Sequence, residues 1–195
     1  MKAFFKKLKY TPHEIADAIV IDLINLYEKI YFLYRKFTGK YYFLKKNKIL
    51  KNTHKEERIF VLGNAPSLNN FDLKKLKNEI IIMVNRSFDH PDYEIIKPKY
   101  HIFVDPKLAT GVWPLSYIDE IYKKNPNVKL IFNSEWYYLE KFKEFRDKKN
   151  VFWVKSKSIS LLFNNFNNNL SDNISTMGVI GHAISSAIYL GSKKI

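Results

Sequence analysis

The sequence predicts a Rossmann-like α/β fold: a mostly parallel sheet with flanking helices, preceded by one long N-terminal helix. Two observations lead there. Short, near-continuous apolar runs such as "EIIIMVN" (79–85) and "VKLIFN" (128–133) read as strands buried on both faces. These runs alternate with helix-patterned segments, so the strands must be joined by crossovers and pair in parallel.

The N-terminal helix is predicted over 11–36. Thr11 and Glu14 form a capping-box pattern, and Pro12 sits at the first helical position, where its missing N–H costs nothing. Ile15, Ile19, Leu23, Leu26, Ile30 and Leu33 recur at three-to-four spacing, with Val20, Ile24, Tyr27, Tyr31 and Tyr34 widening the stripe. Such a helix calls for a partner: the domain behind it, another copy, or a membrane surface on which Lys29, Arg35 and Lys36 snorkel. Asp17 and Asp22 oppose anionic lipid and favour protein.

Residues 38–57 read as a basic, turn-rich connector ending in a domain boundary near 52–57. Two units are therefore expected: a basic helical segment with its connector (1–55) and a nucleotide-binding domain (56–195). Strands are predicted at 58–63, 79–85, 100–105, 128–133 and 151–155. Helices are predicted at 71–77 with Asn70 as cap, at 115–124, at 135–149 and at 176–191, the last ending at Gly191. The asparagine-rich "FNNFNNNLSDN" (163–173) reads as a loop. "GSKKI" looks like a helix end followed by the start of another strand, which suggests the front part of a longer protein, truncated at its C-terminal end.

Composition narrows the classes. The 195 residues are 46% apolar and 16% aromatic, ample for a packed core, and contain no cysteine, which rules out a disulfide framework and thiolate metal sites. The formal net charge is +14. Residues 1–55 carry 13 Lys/Arg against 4 Asp/Glu, and the rest 20 against 15, so the excess is concentrated at the N-terminus. That distribution points to an anionic surface there, with peripheral membrane association as one form of it. Nucleic acid is disfavoured because the aromatics at 27–43 lie in a helical pattern and not on a sheet platform. No uncharged run approaches the roughly 20 residues of a membrane span, and "MKAFFKKLKY" lacks a signal-peptide h-region. The expected location is the cytoplasm, at the inner face of the membrane.

In an open α/β sheet, ligands bind outside the carboxyl ends of the strands. Polar residues collect at that edge: Gly63-Asn64-Ala65-Pro66-Ser67 after the first strand, Asn85-Arg86-Ser87 after the second, Asp105 after the third. Gly63 permits close backbone approach, Pro66 stiffens the exit, and Asn64 and Asn85 can each donate and accept hydrogen bonds. Asp105 suits either a donor or metal contact or a plain turn cap. Thr176 and Gly178 open a small-residue helix whose N-terminus is suited to an anion. Walker G-K-[ST], G-x-G-x-x-G, H-E-x-x-H and G-x-S-x-G patterns are absent, and the histidines at 13, 54, 90, 101 and 182 form no metal spacing.

The ordered set "IFVLGNAPSLNNFDLKKLKNEIIIMVNRSF", "KPKYHIFVD" and "STMGVIGHAISSAIYLGSKKI" resembles two related bacterial groups. One is the CMP-sialic-acid-dependent sialyltransferases of lipooligosaccharide. The other is the motility-accessory-factor family with its MptE-like pyrophosphokinase relatives. The resemblance covers about 58–105 and 174–195. It implies that Gly63, Asn64 and Ser67, with Asn85, Thr176 and Gly178, line a nucleotide site, to which Ala65, Pro66 and Arg86 are added by their place in the same turns. Ala65 replaces the usual second glycine, and Ile174 stands where the sialyltransferases carry an arginine. The catalytic residues of that family would follow residue 195.

The function expected first is therefore a nucleotide-sugar-dependent, sialyltransferase-like glycosyltransferase of bacterial surface glycan synthesis. It would take a CMP-sugar and a glycan acceptor, need no other cofactor or metal, and be compatible with homo-oligomers. The alternative is a 6-hydroxymethylpterin-pyrophosphokinase-like phosphoryl transferase that uses ATP and Mg²⁺, with Asp105 a candidate metal ligand.

Overall fold

The computed structural model describes residues 11–159, 167–176 and 178–195. The basic stretch 1–10, the first part of the asparagine-rich segment (160–166) and Met177 lie outside the described residues.

Six strands form one all-parallel sheet in sequence order: β1 (Ile59–Leu62), β2 (Ile80–Val84), β3 (Tyr100–Phe103), β4 (Lys129–Asn133), β5 (Val151–Lys157) and β6 (Asn173–Ser175). The apolar runs explain why both faces are covered. With a side-chain period of two, Ile81 and Met83 enter one core while Ile82 and Val84 enter the other. Leu130, Phe132 and Trp153 share the first, and Ile131, Phe152 and Val154 the second.

Neighbouring parallel strands in sequence order, joined by right-handed crossovers, place their connections on one face. That face holds α2 (Tyr93–Ile96), α3 (Pro106–Thr110), α4 (Ser116–Lys124) and several 3-10 turns. They bury Leu73, Phe88, Tyr93, Leu108, Ile118, Ile121, Trp136 and Phe142 against it. The other face is covered by α5 (Gly178–Tyr189) through Ala183 and Ala187, with Leu50, Leu170 and Leu190 beside them. After α5 the chain returns to the outer edge of β1, where Lys194 bridges Arg58 in parallel and the Ile59 N–H donates to the Lys194 carbonyl at 2.9 Å. The chain thus leaves β1 over one face of the sheet and returns beside it over the other, so the strand order reverses at β1 and makes it the switch point of the topology.

The turn after α5 explains one glycine. The N–H groups of Gly191 and Ser192 donate to the carbonyls of Ile188 and Ala187, a Schellman closure with Gly191 at φ +91°. A side chain there would also meet the Asn52 backbone at 3.0 Å.

The N-terminal helix α1 runs Pro12–Phe37 with the predicted Thr11/Glu14 capping box. Its docking contacts are few. Ala18 and Phe32 are buried, Glu28 pairs with Lys155 at 2.8 Å, and the Arg35 guanidinium lies over the Tyr41 and Tyr138 rings. Among the described residues no helix is long and apolar enough to cross a membrane.

Three local expectations need correction. Residues 135–149 are not one helix but two 3-10 pieces, Ser134–Trp136 and Glu140–Phe145. The aromatic run seats itself on Trp153 and Phe132, with Tyr137 stacked on Phe43 at 3.7 Å, and packing overrides the helical period. Arg146 donates to the Tyr137 and Leu139 carbonyls and so satisfies groups that a continuous helix would have paired. The 71–77 helix is a 3-10 turn over Leu73–Leu76, capped by Asp72 in place of Asn70. Within 163–173, Asn173 already begins β6.

The predicted connector is also structured. Tyr42–Leu50 is a 3-10 helix that buries Phe43, Leu44 and Leu50, and the buried Asn47 amide donates to the Trp153 carbonyl at 2.7 Å.

Candidate functional site

At the carboxyl edge of β1 and β2, two turns face each other across a cleft of about 290 Å³. One wall is Asn64, Ala65, Pro66, Leu68 and Asn69; the other is Arg86, Ser87, Asp89 and His90. The first turn follows from its residues. β1 ends at Leu62, Pro66 starts a 3-10 turn over Pro66–Asn70, and the Leu68 N–H closes onto the Ala65 carbonyl at 2.9 Å. Asn64 to Ser67 are left exposed to solvent.

The second turn is held from below. Asn85 sits in the left-handed region at φ +48°, a conformation asparagine tolerates better than most residues. Its carbonyl accepts from His101 Nε2 at 2.7 Å, and His101 Nδ1 lies 3.1 Å from the Tyr93 hydroxyl. That pair fixes the tautomer: Nε2 carries the proton and Nδ1 accepts from Tyr93. Burial pushes His101 down to about 4, with the bond to Asn85 opposing, so the ring is neutral at pH 7. The Ser87 hydroxyl accepts from the Val84 N–H at 3.0 Å and pins the start of the turn.

Arg86 is the cation of the cleft. It is half exposed, reaches Asp89 through two donors at 2.7 and 3.0 Å, and lies over the Tyr117 ring. Its pairing with Asp89 holds the guanidinium in its charged form. Asp89 is the one carboxylate in the lining.

The first turn of α5 approaches from the other side of the sheet. A side chain at Gly63 would touch Ile180 at 3.5 Å, so strand end and helix start are neighbours. Thr176 lies so close to Gly181 that a side chain there would collide with its hydroxyl. His182 Nδ1 is 2.8 Å from the Gly178 carbonyl, and burial lowers the affinity of its ring for a proton.

Some of the fold's buried polar atoms without a partner lie near this edge. Among the described residues, Asn85 Oδ1, His90 Nε2, Thr176 Oγ1 and His182 Nε2 lack any hydrogen bond. Each costs about 1–3 kcal/mol while unpaired, so their presence asks for an explanation.

Of the residues expected from the sequence, the structure gathers Asn64, Ala65, Pro66 and Arg86 around the cleft. Asn85 lies beneath it, and Gly63 faces the first turn of α5, where Gly178 has φ +61°. Ser67 is exposed on the 3-10 turn outside the lining. Asp105 is also outside: its Oδ1 accepts from the Lys107 N–H at 3.0 Å and caps α3. His101, Asp89 and His90 were not anticipated. A signal for His101 existed, since a histidine inside the apolar run "YHIFV" needs a buried partner.

No curated protein matches the chain significantly. A family model described as 6-hydroxymethylpterin diphosphokinase MptE-like matches residues 34–195, which include the whole sheet and both walls of the cleft. The match agrees with the MptE-like side of the resemblance and adds nothing for the sialyltransferases. On that match the chain belongs to the MptE-like family.

Proposed function

We propose that the cleft binds the phosphates of a nucleotide and that the chain is the nucleotide-binding part of a diphosphoryl transferase acting on an alcohol, in the manner the family's description implies. The observation that carries this reading is Arg86 facing the Asn64–Asn69 turn at the topological switch point. A guanidinium binds phosphate oxygens through two donors, and Arg86 already directs two, Nε and Nη2, at one oxygen of Asp89. The α5 N-terminus adds partial positive charge close to Gly63.

A diphosphokinase reaction forms a bond from the acceptor hydroxyl oxygen to the β-phosphorus of ATP and breaks that phosphorus's bond to the oxygen shared with the α-phosphate, releasing AMP, while the hydroxyl proton passes to solvent. Negative charge grows on the leaving phosphate. In this chain Arg86 and the α5 N-terminus are the groups placed to offset it. Mg²⁺ would neutralise the phosphates when bound. Among the described residues no group of three or more His, Asp or Glu side chains is gathered. In the cleft Asp89 is the carboxylate that could hold a magnesium ion bound to phosphate oxygens.

Thermal unfolding with ATP, with and without Mg²⁺, and with CMP and CMP-sialic acid tests the reading. A ligand at a hundred times its dissociation constant adds about 2.7 kcal/mol of stability. The expected result is a shift with ATP and Mg²⁺ that Arg86→Ala cuts by about half or more. Asp89→Asn separates two roles: it strengthens ATP binding without Mg²⁺ by freeing Arg86 and weakens the magnesium dependence. A shift confined to CMP and CMP-sialic acid would instead support the glycosyltransferase reading, which rests on the resemblance of the Gly63 turn and the Thr176–Gly178 segment.

A further inference from the structure

The stripe of α1 points away from the domain. Ile19, Leu23, Leu26, Ile30, Leu33 and Phe37 follow one another at alternating spacings of four and three, and all are exposed, Leu23 by 63% and Phe37 by 93%. That is the a/d seam of a coiled coil sustained over nearly three heptads. Val20, Tyr27 and Tyr34 line one margin of it and are exposed as well. The docking side of the helix, with Ala18, Glu28 and Phe32, is a different face. The seam lies almost wholly before residue 34, where the family match begins.

We propose that this seam is covered by the same helix of a second copy, running antiparallel, so that the chain is a two-fold dimer. Charge selects the occupant and its direction. The acidic residues of α1, Glu14, Asp17, Asp22 and Glu28, all precede its basic residues Lys29, Arg35 and Lys36. Parallel pairing would set acid against acid and base against base, whereas antiparallel pairing sets each against the other. The carboxylates at one end also oppose an anionic membrane surface. Packing a-positions against d-positions puts Leu23 against Leu26 of the second copy, Ile19 against Ile30 and Ala16 against Leu33. In that register Asp22 stands beside Lys29 of the other copy, twice by symmetry.

Sedimentation equilibrium of the full chain tests the proposal. The wild type is expected to be a dimer, and Leu26→Asp a monomer with an unchanged circular dichroism spectrum. Lys29→Glu should weaken the dimer about tenfold, and adding Asp22→Lys should restore it. Because the chain has no cysteine, Ile19→Cys mixed with Ile30→Cys should cross-link as a heterodimer, while neither cross-links efficiently to itself. A wild type that stays monomeric at every accessible concentration would overturn the proposal. So would efficient Ile19→Cys self-cross-linking, or a monomer whose helix is captured by phosphatidylcholine vesicles containing phosphatidylglycerol.

Discussion

His101 shows how one residue in a strand sets the geometry of a turn on its neighbour. Its neutral ring spans from the Tyr93 hydroxyl to the Asn85 carbonyl and holds Asn85 at a positive φ below the cleft. This has a pH signature. The unfolded ring titrates near 6.5 and the buried ring at about 4, so between those values the unfolded state binds more protons. The stability is present above pH 6.5 and is lost as pH falls toward 4, by on the order of 3 kcal/mol. Urea unfolding at pH 7 and pH 4.5 should show the loss, and His101→Gln should flatten it while lowering stability at pH 7. Arg86 acts on the ligand itself. Removing a charge-assisted hydrogen bond costs about 1.5–3 kcal/mol, so Arg86→Ala should raise the dissociation constant for ATP tenfold or more by calorimetric titration. The Gly63–Ser67 turn, Asn85 and Arg86 could be picked out from the sequence because small and polar residues at strand ends break an apolar pattern. His101 could not be placed, because its partners Tyr93 and Asn85 lie on other elements, and Asp89 could not, because the 3-10 turn that brings it onto Arg86 leaves no pattern in the sequence.

Among the elements, strands and capped helices were legible and 3-10 segments were not. β2 and β4 announce themselves through unbroken apolar runs, and α1 through Thr11, Pro12 and Glu14. Residues 135–149 misled because Trp136, Phe142 and Phe145 are spaced as an amphipathic helix would space them. Their seats on Phe132 are visible only once the sheet is folded. β6 has three residues inside an asparagine-rich stretch and pairs only with β5, too little for a periodicity to show. The end of α5 gives an element-scale prediction. At φ +91°, with the Asn52 backbone 3.0 Å from any added side chain, Gly191→Ala should cost about 2 kcal/mol. The urea midpoint should fall with an unchanged slope. The apolar stripe on α1 was legible as a pattern, but its direction, away from the domain, emerges only from the docking contacts of Phe32, Glu28 and Arg35.

For the whole molecule, strand order is what gives the cleft its meaning. Six parallel strands in sequence order leave their connections on one face, while α5 crosses the other and returns the chain to the outer edge of β1. The parallel α/β class was legible from alternation alone. The order was not, since any arrangement of these strands satisfies the same pattern. Only with the order known does the Gly63 turn stand at the switch point, with Arg86 across the cleft and the α5 N-terminus beside it. The most direct test is amide hydrogen exchange of the full chain with and without ATP and Mg²⁺. The account predicts protection confined to residues 63–69, 85–90 and the first turn of α5. Protection only at a distant surface, such as the aromatic groove of Tyr42, Tyr137 and Trp153, or none at saturating ATP, would contradict it.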